Sequence, residues 1–239
     1  MDEATQPGSV VMITGAAGNL GRTAVQELSS CGWRLVCVEH NSAALDNLVG
    51  SLPSNVEVLP IGGADLADFS SCEDAVGKAI ERFGRLDALV NTVGGFRTGP
   101  VDEAGMTQWE QLFHMNAKTA YAISAAALKP MIKAGYGRIV HVAAAPGLKA
   151  GANQAAYAAS KGAVIRLTEA IAAEHRSNRI TANCILPGTI DTPQNRASMP
   201  NAKTDGWVQP SDIAKLLGFL VSPEAGIVTG AAIPATGRI

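Results

Sequence analysis

Short apolar runs alternate with longer segments of helical period along the whole chain. The runs Val10–Thr14, Leu35–Val38, Val56–Ile61, Leu86–Asn91, Arg138–Val142, Ile180–Leu186 and Ile227–Ile233 predict seven strands. Helices are predicted at Arg22–Ser30, Ser42–Val49, Phe69–Phe83, from Thr107 to about Lys133, around Tyr157, and at Ser211–Val221. Thr107 and Glu110 have the T-x-x-E spacing of a capping box, which sets that helix start at Thr107. Alternation of this kind predicts an α/β fold of the Rossmann type, doubly wound, with a seven-stranded parallel sheet flanked by helices on both faces. No break in composition marks a second unit, so residues 1–239 are expected to form one domain. The one long irregular segment, about 192–210, is expected to be a flap over the site.

With 239 residues, 47% of them hydrophobic, the chain can bury a sizeable core. A net charge of −2 provides no electrostatic footprint for nucleic acid or a membrane surface, and neither is expected as a partner. No stretch has the length and apolarity of a spanning helix. The acidic start MDEATQPG is unlike a secretory or mitochondrial leader, and the cytoplasm is the expected compartment. Cys31, Cys37, Cys72 and Cys184 lack ligand spacing, as do His40, His114, His141 and His175, so no metal is expected.

Two features carry chemistry. The first is Gly15, Gly18 and Gly21 in TGAAGNLG, between a predicted strand and a predicted helix. In that setting glycines allow a tight turn and close approach of a pyrophosphate to a helix N-terminus. Glu39, eighteen residues past Gly21 at the end of the second strand, can accept from a ribose 2′-hydroxyl and repel a 2′-phosphate. NAD(H) is therefore favoured, with NADP(H) possible through Arg22 or His40. The second feature is Tyr157 and Lys161, four apart on one helix and therefore on one face. A lysine ammonium beside a phenol favours the phenolate, and this pair is expected to act as a general acid/base.

In motif order and spacing the whole chain resembles the short-chain dehydrogenase/reductase family. The resemblance implies that Gly15, Gly18, Asn19, Leu20 and Gly21 form the cofactor turn, although Asn19 stands where the commoner motif has glycine. Asp65 and Leu66 would contact the adenine. Asn91 and Gly94 belong to NTVG, in place of the family's NNAG. Asn116 would hold a water of the proton relay, Tyr157 would be the acid/base, and Lys161 would also bond the nicotinamide ribose. Pro187, Gly188, Thr189, Ile190 and Thr192 would hold the nicotinamide amide. The family's activity implies a small-molecule substrate. Its assembly implies a homodimer or homotetramer, through the helix Trp109–Met131 and the Tyr157 helix.

The departure is at Ala144, thirteen before Tyr157, where the family usually has a serine that donates to the substrate oxygen. No hydroxyl occupies positions 143–145. A narrower resemblance, to dihydropteridine reductases, rests on DTPQNRASMP followed by Trp207, on VGGF, and on that same missing serine. It implies hydride transfer to a small electron-poor substrate, a quinonoid dihydropteridine among them, with Phe96, Ala144, Asn195, Met199 and Trp207 at the substrate. The alternatives are a general carbonyl or 3-oxoacyl reductase and, in another class, a non-catalytic dinucleotide-binding sensor or scaffold.

Overall fold

In the computed structural model, which describes residues 8–237, seven strands form one sheet. They are β1 (Val10–Thr14), β2 (Arg34–Glu39), β3 (Val58–Gly62), β4 (Ala88–Asn91), β5 (Gly137–Val142), β6 (Ile180–Pro187) and β7 (Ala232–Ala235). Every pairing is parallel, in the order β3-β2-β1-β4-β5-β6-β7. Apart from Gly8, the stretch MDEATQPG lies outside the described residues.

Alternation along each strand feeds two cores. Val10, Met12, Val36, Leu89 and Ile139 pack against Cys72, Ala75, Ile123, Ala127 and Ile171. These come from α3 (Phe69–Phe83), α5 (Thr119–Ala134) and α6 (Ala155–Glu174). Val11, Ile13, Leu35, Val90 and Val140 face the other way, onto Ala24, Leu28, Leu45 and Leu217. Those belong to α1 (Asn19–Ser30), α2 (Ser42–Gly50) and α8 (Pro210–Val221). A sheet covered on both faces leaves its strand ends as the place for a site. The order reverses between β1 and β4, which opens a crevice at their carboxyl ends.

Three expectations are corrected. The helix predicted from Thr107 begins earlier, as α4 (Val101–Leu112) behind Pro100. It breaks at Gly105, whose φ of 70° and ψ of 167° make it the cap of the second piece. Thr107 therefore lies inside the first turn and is no capping-box residue. Between α4 and α5, Phe113–Lys118 form a π-helical stretch, so one long helix becomes three consecutive pieces.

The last strand is Ala232–Ala235, not Ile227–Ile233; Ile227 is 94% exposed. Pro234 fits there because β7 is an edge strand, with a free side where no N–H is needed. The segment expected to be irregular contains α7 (Pro193–Ser198), and a parallel bridge between Ile190 and Val208 fastens its base. No described helix is long and apolar enough to cross a membrane.

Candidate active site

The turn from β1 into α1 is built on close backbone contact. A methyl group on Gly21 would overlap the carbonyl oxygen of Gly15, so no larger residue fits without moving the turn. Gly18 is the N-cap of α1 and has no capping side chain, which leaves the helix's first amides open to an anion. Glu39 faces this turn: its Oε2 accepts from Ala17 N at 3.1 Å, and Oε1 accepts from His40 N and Asn41 N. Arg22 is committed to backbone carbonyls, with Nε on Ala17 O at 2.9 Å and Nη2 on Ala44 O at 3.3 Å. An open helix end, a cradle that a Cβ would fill and a carboxylate at the neighbouring strand end together fit a dinucleotide. Asn19 reaches across to the flap, donating to Gln194 Oε1 at 3.4 Å.

Asp65 is exposed, and its carboxylate accepts from Ala67 N at 2.9 Å; Leu66 is buried in a core. The side chain of Asn91 points inward, where it accepts from Thr14 Oγ1 at 2.6 Å. Only the main chain after it, through Gly94, faces the site. A Cβ on Gly94 would stand 2.8 Å from Lys161 Nζ and 2.9 Å from Asn116 Oδ1, so these groups converge there.

The π-helical stretch carries Asn116, 1% exposed. A π turn inserts an extra residue per ring and re-aims the side chains it contains, a common device at functional sites. Asn116 pairs with both sides of Gly95, accepting from its N at 2.8 Å and donating to its O at 3.1 Å. Its Nδ2 also donates to Ser160 Oγ at 2.9 Å, and Ser160 donates to Tyr157 O at 2.8 Å. The side chain expected to hold a water is thus engaged with protein groups. Ser160, fully buried, was missed by the sequence reading; its position between Tyr157 and Lys161 was the available signal.

Lys161 donates to Val142 O at 2.9 Å. Burial pushes its amine down to about 8. The same desolvation pushes the Tyr157 phenol up to about 12, opposite to the lowering expected from a neighbouring ammonium. The protein's own groups therefore keep the phenol protonated. Phe96, 61% exposed, sets its ring edge-on to Tyr157, with centroids 4.8 Å apart and planes at 90°. Ala144 is buried and extended two residues past the end of β5.

After β6, Gly188 N donates to Ala235 O at 3.1 Å and Thr189 O accepts from Val208 N at 2.8 Å. The polar groups of DTPQNR bond within the motif and to its neighbours Asn19, Ile190 and Gln209. Asp191 takes Arg196 Nε at 2.6 Å, Arg196 Nη2 at 2.7 Å and Gln209 Nε2 at 3.0 Å. Thr192 caps α7 through Asn195 N, and the Asn195 amide donates to Ile190 O at 2.8 Å. The motif folds the base of the flap, where one N–H of the Asn195 amide is engaged by Ile190 O. Trp207 lines a separate cleft of about 420 Å³ with Asp205, Gln209, Asp212 and Ala235, whose walls include neither Phe96 nor Tyr157. Met199 is 39% exposed on the flap. Of the residues expected at the substrate, Phe96 is in ring contact with Tyr157.

Comparison with known proteins agrees with this fold. The family described as short chain dehydrogenase matches residues 9–203. The 7alpha-hydroxysteroid dehydrogenase of Bacteroides fragilis is 29% identical, over 96% of this chain and 93% of that protein. A 3-oxoacyl-acyl-carrier-protein reductase of Pseudomonas aeruginosa is 30% identical over 96% of each. Among solved structures, levodione reductase superposes with a TM-score of 0.90 at 28% identity, covering 96% of each chain. NAD+-bound xylitol dehydrogenase gives 0.89 at 25% identity, covering 96% of this chain and 98% of that one.

Proposed function

The chain belongs to the short-chain dehydrogenase family, and from that premise we propose that it is an NAD(H)-dependent oxidoreductase for small substrates whose reacting C=N or C=O bond is already electron-poor. One observation carries this reading: Lys161 Nζ and Asn116 Oδ1 converge at Gly94, at the end of the strand across the crevice from the uncapped glycine turn.

Gly15, Gly18 and Gly21 hold the dinucleotide's phosphates, and Glu39 takes the adenosine ribose. Leu66 and the Asp65 main chain border the adenine. The main chain at Pro187–Ile190, with Thr192, holds the nicotinamide amide. The bound nicotinamide supplies or accepts the hydride. Tyr157 provides the proton, since burial keeps its phenol protonated at neutral pH and ready to donate in the direction of reduction. Lys161, whose amine burial lowers to about 8, bonds the nicotinamide ribose and supplies the positive charge that a developing phenolate needs. Asn116 fixes Gly95 and, through Ser160, the backbone of Tyr157, so the acid/base enters the site in one orientation.

Ala144 defines the substrate class. Removing one oxyanion donor costs ~10²–10³ in rate in other enzymes. An electron-poor C=N bond, as in a dihydropterin, needs that donor less. The 3-oxoacyl reductases among the relatives favour a second reading, an activated β-carbonyl substrate. Turnover of a dihydropterin against a β-ketoester, each with NADH, separates the two. Tight NADH binding with no oxidation by either substrate would instead support a sensor. Exposed Tyr121 and Trp109, on helices that the family uses for assembly, support a homodimer or homotetramer.

A further inference from the structure

The row of residues that crosses the sheet at the ends of β1 and β4 contains a histidine the mechanism has not used. Thr14, Asn91, His141 and Cys184 are direct cross-strand partners on β1, β4, β5 and β6. His141 is 0% exposed. Its Nδ1 lies 3.3 Å from Asn91 Nδ2, and its Nε2 lies 3.2 Å from Ser124 Oγ on α5.

With the Asn91 amide oriented so that Oδ1 meets Thr14 and Nδ2 meets His141, one arrangement of protons satisfies the whole network. Ser124 gives its own hydrogen to Ala120 O at 2.7 Å, so its oxygen must accept from His141 Nε2–H. Nδ1 is then the acceptor and takes a hydrogen from the Asn91 amide. That leaves Asn91 Oδ1 to accept from Thr14 Oγ1 at 2.6 Å. His141 is neutral, with its proton on Nε2. Of the groups facing it from β1, β4, β6, α5 and α6, only Lys161 carries charge; burial holds the Cys184 thiol up at about 11.

We propose that His141 is a positioning residue, which sets the amide of Asn91 and thereby locks the ends of β4 and β5 around the Lys161 amine. The residue after His141 is Val142, whose carbonyl accepts from Lys161 Nζ. The residues after Asn91 are Thr92, whose hydroxyl donates to Thr14 O at 2.8 Å, and then the main chain leading to Gly94 beside that same amine. Through Ser124 the imidazole also fixes α5, which continues directly from the π turn carrying Asn116. A protonated or displaced imidazole would present a donor to the Asn91 donor. The amide would then have to turn over, and the Thr14 hydroxyl would lose Oδ1 as its acceptor and face an N–H donor instead.

The test exploits side-chain geometry. Asparagine in place of histidine keeps an acceptor near Nδ1; glutamine keeps a donor near Nε2 and loses that acceptor; leucine keeps neither. In the cofactor-free protein, ¹⁵N NMR should show His141 neutral, with the proton on Nε2, at pH 7. The Lys161 amine should titrate at the same midpoint in wild type and His141→Asn. In His141→Gln and His141→Leu water reaches the amine, and the midpoint should rise by roughly half a pH unit.

The oxidoreductase reading enters only in the kinetic arm. There kcat should fall about tenfold or more in His141→Gln and His141→Leu and by less than about threefold in His141→Asn, with KM little changed. Ser124→Ala, at the far end of the chain, serves where His141→Leu fails to fold. Equal amine midpoints in all variants, with only thermal stability lowered, would overturn the proposal. If the wild type turns over no substrate, the oxidoreductase reading fails, while the amine titration still decides the role of His141.

Discussion

Lys161 donates to the carbonyl of Val142 at 2.9 Å, two residues before Ala144. The amine of the proposed acid/base pair and the position without a serine therefore lie together at the end of β5. Ala144→Ser places a hydroxyl on that strand end without touching Lys161 or Tyr157. Reduction of plain ketones by NADH should rise, by up to ~10² given the worth of one oxyanion donor. Steady-state kinetics on an unactivated ketone checks this. Unchanged ketone turnover in a folded variant would remove the argument from Ala144.

Cofactor choice is predicted from Glu39. Its carboxylate accepts from Ala17 N at the glycine turn, where a 2′-phosphate would meet negative charge. Glu39→Ala should weaken NADH, tighten NADPH, and move the ratio of their dissociation constants by tenfold or more, about 1.4 kcal/mol. Fluorescence titration of both reduced cofactors measures that ratio.

Acid should destabilise the chain through His141, whose complete burial lowers its pKa to about 4. The unfolded imidazole binds a proton below its ordinary 6.5, while the folded one stays neutral. Stability is therefore full above pH 6.5 and declines as pH falls toward 4, by on the order of 3 kcal/mol. Urea unfolding at a series of pH values should show this slope, and His141→Asn should flatten it.

Gly21→Ala should abolish dinucleotide binding, because the added methyl overlaps the Gly15 carbonyl and the turn must open. Isothermal titration should find no NADH binding, while the far-ultraviolet circular dichroism of the α/β fold is retained.

The sheet was legible because its strands are apolar at neighbouring positions, and the glycine turn and Tyr157–Lys161 pair because their spacing is local. What escaped depends on contacts distant in sequence or on subtle backbone geometry. Ser160 matters through an amide 44 residues away, and His141 through Asn91, 50 residues away. The π turn around Asn116 follows the same hydrophobic pattern as an ordinary helix. Gly105, rather than Thr107, ends one helical piece and caps the next. The side chains of DTPQNR bond within the flap, to Gln209 and, through Gln194, to Asn19, contacts that composition alone does not disclose.

The central claim is that Tyr157 is the proton donor for hydride transfer. The most direct test mixes NADH-loaded wild type and Tyr157→Phe with a dihydropterin and with a β-ketoester, following loss of reduced nicotinamide absorbance in a single turnover. Wild type should oxidise NADH with at least one of them, and Tyr157→Phe should be slower by ~10² or more while binding NADH equally well. Equal rates in the two proteins, or tight NADH binding with no oxidation in wild type, would contradict the account.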